Sequence, residues 1–221
     1  MNTPEILTDV QRRVLTLLAN HQDLARAYVL SGGTALAAFH LHHRLSDDLD
    51  FFSLDPVDSL RIERFVEEVR NDIGARDIEP THIYDRRLFV LTLPDEQTLK
   101  LEFTHYPYTH LETPSLHDGI QVESLRDIAT DKLAAMLDRF EPKDYYDLCL
   151  LLSKYTDLAR VRADLLTKFH IRTDPMQLGV ALARAGNLPI LPHMLMKTLT
   201  RDDVKIFFEG LAKDLRAEII E

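Results

Sequence analysis

The chain has 221 residues, of which 45% are hydrophobic, so it can bury a core without disulfides or a structural metal. Its formal net charge of −10 argues against a protein that coats nucleic acid nonspecifically, because such binding needs many lysine and arginine contacts to phosphates. The charge leaves room for a small local site. The N-terminal residues do not resemble a secretion signal, and apolar runs fall short of the roughly 20 residues that span a bilayer. We therefore expect a cytoplasmic protein with no membrane partner.

Two patterns divide the chain near residue 115. Before that point, helical stretches alternate with short strand-like runs; after it, helical patterns are broken by prolines, with one short strand possible. We expect helices at 5–19, 57–73 and 125–137, and strands at 28–30, 49–52, 88–93, 99–104 and 120–122. The patterns predict an α+β protein: a mixed sheet flanked by helices in domain 1–115, followed by a helical domain over 116–221. Cys149 lies in an apolar helical stretch, where a small buried side chain is expected.

The first chemical motif is a glycine pair, Gly32 and Gly33, between an apolar strand and a helix. Adjacent glycines let a ligand approach the backbone, and amides at the start of a helix point toward an anion. A phosphate fits this position. A Gly-Gly turn between a strand and a helix is nevertheless more often only a turn.

The second motif is the acidic strand Asp48-Leu49-Asp50-Phe51-Phe52. Strand alternation places both aspartates on one face and Leu49 and Phe51 on the other. Two like charges on one face repel unless a cation or water screens them, and paired hard oxygen ligands suit Mg²⁺ or Mn²⁺. The alternative is an exposed acidic strand edge.

A third carboxylate, Glu102, alternates with apolar residues in the strand-like run 99–104. If this strand pairs beside the acidic strand, Glu102 joins Asp48 and Asp50. A single glutamate at this spacing is otherwise a solvated strand residue.

Taken together, these residues resemble the nucleotidyltransferase superfamily of the DNA polymerase beta type, and more narrowly the AbiEii/AbiGii toxin family. The resemblance is carried by 31–37, 43–52, 127–133 and 143–148. It implies that Asp48, Asp50 and Glu102 hold Mg²⁺ or Mn²⁺. It also implies a nucleotide site for a nucleoside triphosphate, formed by Gly32, Gly33, Thr34, Arg44, Ser46 and Lys132.

Lys132 falls in the middle of the apolar arc of the helix 125–137, where a charged side chain is unusual. It can extend its ammonium out of the interface, or it can reach phosphate oxygens, as the family motif implies. On the next helix, Asp144 borders the apolar arc and is either a catalytic acid or a first-turn residue that favours the helix dipole. Asp147 is expected to be the surface partner of a lysine.

The histidines at 40, 42 and 43 lack metal-ligand spacing, and His43 is expected to brace the loop before the aspartates.

The resemblance implies transfer of a nucleotide from a triphosphate to an RNA 3′ end such as that of tRNA, by a toxin with a separate antitoxin. In this scheme Lys132 neutralises charge on the leaving pyrophosphate, and Glu102 with its metal helps to deprotonate the acceptor hydroxyl. Two alternatives stay open. One is transfer to a protein hydroxyl, which the negative surface favours; the other is a nucleotide-binding interaction protein without turnover.

Overall fold

A computed structural model describes residues 6–196, 199–216 and 218. The chain forms two compact units. The first takes in the chain up to Thr109 together with Thr113–Ser124, and the second takes in His110–Glu112 and the chain from Leu125 onward. The division thus lies after Ser124 rather than near residue 115, because two short strands between these points belong to the sheet.

The first unit is built on a mixed seven-stranded sheet with the order β3-β4-β5-β2-β1-β7-β6. Two neighbouring pairs, β2 with β5 and β1 with β7, are parallel, and the others are antiparallel. The strands are β1 (Val29–Ser31), β2 (Leu49–Ser53), β3 (Asp77–Ile83), β4 (Arg86–Thr92), β5 (Thr98–His105), β6 (Ser115–His117) and β7 (Ile120–Val122).

The helices of this unit begin and end at recognisable signals. They are α1 (Asp9–Asn20), α2 (Gln22–Ala27), α3 (Gly32–Ala35), which continues as a π-helical turn over Leu36–Leu41, and α4 (Ser59–Ile73). Thr8 and Gln11 form a reciprocal capping box at the start of α1. The expected start of this helix at residue 5 lies outside the described residues, and Thr8 precedes its first turn. Helix α4 is capped by the Asp58 carboxylate and ends at Gly74, whose φ of 71° suits glycine.

Strand β3 forms one edge of the sheet and was not expected from the sequence. Six of its seven residues are exposed, so it lacks the alternation of buried and exposed side chains that marks a strand. It also carries Pro80 near its middle, which is tolerated on an edge strand. Register with β4 is maintained along its length, from Asp77 opposite Thr92 to Ile83 opposite Arg86.

The second unit is helical and has its own core. Its elements are α5 (Leu125–Asp138), α6 (Pro142–Lys154), α7 (Leu158–Phe169), α8 (Pro175–Ala183), a 3₁₀ turn over Arg184–Asn187, and α9 (Arg201–Asp214). Tyr145 and Phe208 are fully buried and meet edge to face at 5.4 Å, and the Tyr145 hydroxyl donates to the carbonyl of Ala181 at 2.7 Å. Cys149 is buried in α6, as expected. Among the described residues, each helix is too short or too polar to cross a membrane.

Candidate functional site

The pairing of β2 with its two neighbours sets the position of Asp50. In the register, Asp50 lies opposite Ser31 of β1 and opposite Glu102 of β5. The alternate residues of β2 and β5 are buried on the other face, where the rings of Phe51 and Phe103 stack at 5.0 Å. That apolar face fixes the register, because a shift of one residue would bury the carboxylates. Asp50 and Glu102 therefore share one face of the sheet, as the sequence predicted, and Asp48 directly precedes β2.

Glu102 is 6% exposed and is surrounded by donors. Arg86 of β4 donates to both of its oxygens, from Nε at 2.7 Å and from Nη2 at 2.9 Å, and the Thr104 hydroxyl donates at 2.9 Å. Lys100 Nζ lies 3.4 Å from Glu102 and 3.7 Å from Asp48, whose side chain is 44% exposed. Burial raises the pKa of Glu102, but the hydrogen bond and charge of Arg86, with Thr104 and Lys100, outweigh burial and lower it. Glu102 is therefore ionised at neutral pH.

The glycine turn lies against this acidic face. Gly32 has a φ of 70°, and a Cβ added to it would fall on the Asp50 carboxylate oxygen Oδ2. A Cβ on Gly33 would lie 2.5 Å from the Arg44 guanidinium and 3.0 Å from the Ser46 hydroxyl. Both positions thus need glycine for close approach. Four of the residues expected at the nucleotide, Gly32, Gly33, Arg44 and Ser46, thus lie together at this turn, and Gly32 lies against Asp50.

The loop before Asp48 is held by side chains from two helices. The Thr34 hydroxyl donates to the carbonyl of Asp48, so this residue, expected at the nucleotide, already has a structural partner. Gln11 of α1 is 1% exposed, and its amide donates to the carbonyls of Ser46 at 2.8 Å and Asp47 at 3.2 Å. The sequence analysis did not single out Gln11, so its contact with the loop was missed.

The segment from His40 to Arg44 leads into the same loop. Arg44 is 2% exposed and donates to the carbonyl of Leu45 at 2.9 Å, and its neighbour His43 is fully buried. His40 makes a 2.9 Å hydrogen bond with the carbonyl of Glu123. Burial lowers the pKa of His40, which favours the neutral ring at pH 7. The Arg44 contact lies in the loop before the aspartates, and the bracing role of His43 stays a prediction.

In the helical unit, Lys132 pairs with two carboxylates of α6. Its Nζ lies 2.7 Å from Asp144 and 2.8 Å from Asp147, and its side chain is 10% exposed. Arg139 adds a contact of 3.4 Å to Asp144. The expectation that Asp147 lies on the surface is wrong, because α6 is buried around its whole circumference from Asp144 to Leu152. Lys132 has a structural task, which is to neutralise two buried aspartates.

The family model of the nucleotidyl transferase AbiEii toxin, type IV toxin–antitoxin system, matches residues 13–218. An uncharacterised protein of Aquifex aeolicus strain VF5, aq_aa25, is 33% identical over 132 residues. That match covers 58% of this chain and 59% of the Aquifex protein, so the chain spans under two thirds of that relative's length.

Two solved structures share the fold. A candidate nucleotidyltransferase from H. pylori superposes with a TM-score of 0.59 at 21% identity, covering 97% of this chain and 99% of that one. MenT4, a nucleotidyltransferase toxin from Mycobacterium tuberculosis H37Rv, superposes with a TM-score of 0.50 at 19% identity, covering 94% and 91%. The expected α+β class with a mixed sheet is confirmed. With the family model matching most of its length, the chain belongs to the AbiEii nucleotidyl transferase toxin family.

Proposed function

We propose that this protein transfers a nucleoside monophosphate from a nucleoside triphosphate to an acceptor hydroxyl at an RNA 3′ end. The observation that carries the proposal is the register of β2, which sets Asp50 beside Glu102 with Gly32 against its carboxylate. An acidic pair next to a glycine turn suits a triphosphate that arrives with divalent ions. Family membership supports the same reaction class.

The donor set fits Mg²⁺ or Mn²⁺. Asp48, Asp50 and Glu102 supply hard carboxylate oxygens, and the cation Lys100 already lies between Asp48 and Glu102. These three carboxylates would hold the metal, which when bound polarises phosphate oxygens and lowers the pKa of a coordinated hydroxyl. The lowered pKa of Glu102 keeps it charged, so it suits a metal ligand better than a base.

Arg44, Ser46 and the Gly32-Gly33 turn supply the groups that would receive phosphate oxygens. The guanidinium and the hydroxyl converge on Gly33, where the absence of a side chain leaves the backbone accessible. Thr34 positions Asp48 through its backbone carbonyl. The assignment of Lys132 to the leaving pyrophosphate and of Asp144 to catalysis rests on the family motif alone.

The acceptor hydroxyl is inferred from the family resemblance. The resemblance noted from the sequence implies an RNA acceptor, tRNA in particular, and membership of a type IV toxin–antitoxin family implies a cognate antitoxin that restrains the activity. The net charge of −10 favours a protein hydroxyl instead.

The test is to incubate the protein with Mg²⁺, each labelled triphosphate, total RNA and total protein. Asp50→Asn should abolish labelling, because it removes one ligand charge at nearly constant size. Asp47→Asn is the matched control, since Asp47 is an exposed neighbour, and it should label like the parent. Label in RNA supports the proposal, and label in protein would show that the acceptor is a protein hydroxyl instead. Equal labelling by the Asp50 variant would show that the carboxylate site is wrongly placed.

A further inference from the structure

The ion pair between Arg86 and Glu102 occupies both oxygens of the carboxylate that the metal site needs. Two parallel contacts, 2.7 and 2.9 Å long, make it a bidentate pair, which is the strongest geometry for an arginine and a carboxylate. Arg86 begins β4, opposite Thr104, and reaches Glu102 along the face that carries Asp50. The Glu102 hydrogen bond raises the pKa of Arg86 although burial opposes it, and the charges of Glu102 and Asp50 add to the rise.

Positive side chains already neutralise Asp48 and Glu102 without a metal ion. Asp48 and Glu102 bring two negative charges, and Arg86 and Lys100 bring two positive ones. One divalent ion would supply the same positive charge as these two side chains. A metal therefore replaces existing cationic contacts more readily than it adds to them.

The two partners differ in their freedom to move. The Glu102 side chain is 7% exposed and also accepts a hydrogen bond from Thr104, whereas the Arg86 side chain is 45% exposed. A long, half-exposed side chain can leave the pair for solvent, while the buried carboxylate stays in place. Arg86 is therefore the partner that would have to move for a metal ion to reach Glu102.

We propose that Arg86 competes with the divalent ion for Glu102, and thereby keeps the site weak for metal until a triphosphate arrives. The displaced guanidinium then has a new anionic partner in the phosphates, so metal and nucleotide bind cooperatively. Arg86 is in this sense a positioning residue of the reaction. The inference rests on the proposed function for its nucleotide, but its central claim concerns metal binding alone.

The experiment measures Mn²⁺ affinity of the full-length protein without nucleotide, by titration calorimetry and by the free-Mn²⁺ electron paramagnetic resonance signal. Arg86→Gln should tighten binding about tenfold, which corresponds to roughly 1.4 kcal/mol. Arg87→Gln is the matched control, because Arg87 lies on the opposite face of β4 and donates to the Ser59 hydroxyl at 2.9 Å. It should leave the affinity unchanged.

Two further variants separate this competition from a general effect of charge. Arg86→Lys keeps the charge but loses the bidentate fork, so it should give a smaller tightening, and it serves as the test if Arg86→Gln does not fold. In a Glu102→Gln background, Arg86→Gln should no longer tighten binding. Thermal unfolding of each variant without metal shows which ones are folded.

An Arg86→Gln protein that is folded and binds Mn²⁺ no more tightly than the parent would overturn the inference. The inference would also be overturned if Arg86→Gln tightened Mn²⁺ binding equally in the parent and in the Glu102→Gln background. Failure of the proposed function looks different: the parent would label neither RNA nor protein, while the Mn²⁺ titrations could still show the competition. If the parent labels RNA or protein but Arg86→Gln does not change the Mn²⁺ affinity, the proposed function holds and this inference is wrong.

Discussion

The side-chain amide of Gln11 donates a 2.8 Å hydrogen bond to the carbonyl of Ser46, 35 positions along the chain. A second bond reaches the carbonyl of Asp47, and the Gln11 carbonyl oxygen accepts from the backbone of Thr8. One buried side chain thus ties the start of α1 to the loop that delivers the acidic strand.

Gln11→Leu should lower both stability and transfer. It leaves the loop carbonyls without their donor, which costs roughly 1–3 kcal/mol, and loosens the loop before Asp48 enough to slow transfer about tenfold. Urea unfolding and single-turnover labelling measure the two effects. Thr16→Val removes an exposed hydroxyl bond on the same helix and should change neither. A Gln11→Leu protein that labels at the parental rate would show that the loop needs no such support.

Gly32→Ala should disable the site through the new methyl group. The substitution places a Cβ on the Asp50 carboxylate at a φ of 70°, which L side chains adopt at a cost of about 1–2 kcal/mol. Transfer should fall more than about tenfold because Asp50 must move. Gly179→Ala in α8 is the control: nothing lies within 4 Å of its Cβ, so it should stabilise the helix by roughly 0.5–1 kcal/mol. Parental labelling by Gly32→Ala would rule out the close approach.

Lys132→Met should destabilise the helical unit by roughly 3–5 kcal/mol, because it leaves two buried aspartates without their lysine. Lys154→Met, at the exposed end of α6, should have little effect.

Adding Asp144→Asn and Asp147→Asn to Lys132→Met should restore much of the stability, since no buried charge is then uncompensated. Urea unfolding measures this recovery. Labelling by the triple variant decides the role of the cluster: recovery of stability without transfer assigns Lys132 with its two aspartates to the reaction, and recovery of both assigns the cluster to structure.

Asp164 should make stability depend on pH. Arg126 donates to both of its oxygens, at 2.8 and 2.6 Å, and this hydrogen bond lowers the pKa of Asp164 below its ordinary 3.8, although burial opposes it. Because the folded pKa is lowered, the stabilisation is complete above the ordinary value and is lost as pH falls through the lower folded value.

Asp164→Asn should therefore cost roughly 1.5–3 kcal/mol at pH 7 and show a shallower loss of stability below pH 4. Urea unfolding over a pH series measures both. Glu209→Gln, which breaks an exposed 3.8 Å pair with Lys205, should shift stability by less than about 0.5 kcal/mol. Equal acid sensitivity in Asp164→Asn and the parent would contradict the assignment.

Cys149 should report global unfolding. Burial raises the pKa of its thiol to about 12, so a negligible fraction is thiolate at pH 8. A disulfide reagent should label the native protein at least about a hundredfold more slowly than the unfolded chain in guanidinium chloride. Rapid labelling in native buffer would mean that α6 opens locally.

Much of the sheet could be predicted from sequence because its central strands are buried. The alternation in the strand-like runs placed each carboxylate opposite apolar neighbours, and the pairing of β2 with β5 meets the condition under which Glu102 joins Asp50. The edge strands β3 and β6 were missed, since exposed strands carry no such alternation.

The residues that sequence reasoning missed or misplaced depend on distant partners. Arg86 and Gln11 become important only when β4 pairs with β5 and α1 meets the loop, and neither contact leaves a local pattern. Asp147 was misplaced because a helical wheel assumes one solvent face, which α6 lacks over most of its length. Lys132, by contrast, was noticed because a lysine inside an apolar arc is locally unusual.

Pro80 has a consequence for how the protein behaves at high concentration. Strand β3 ends the sheet, and an unpaired edge is a template on which a second chain can add a strand. The proline lacks an amide hydrogen, so it interrupts any ladder that a foreign strand would form there. This edge is therefore protected from intermolecular sheet growth by one residue, and Pro80→Thr would expose it to aggregation.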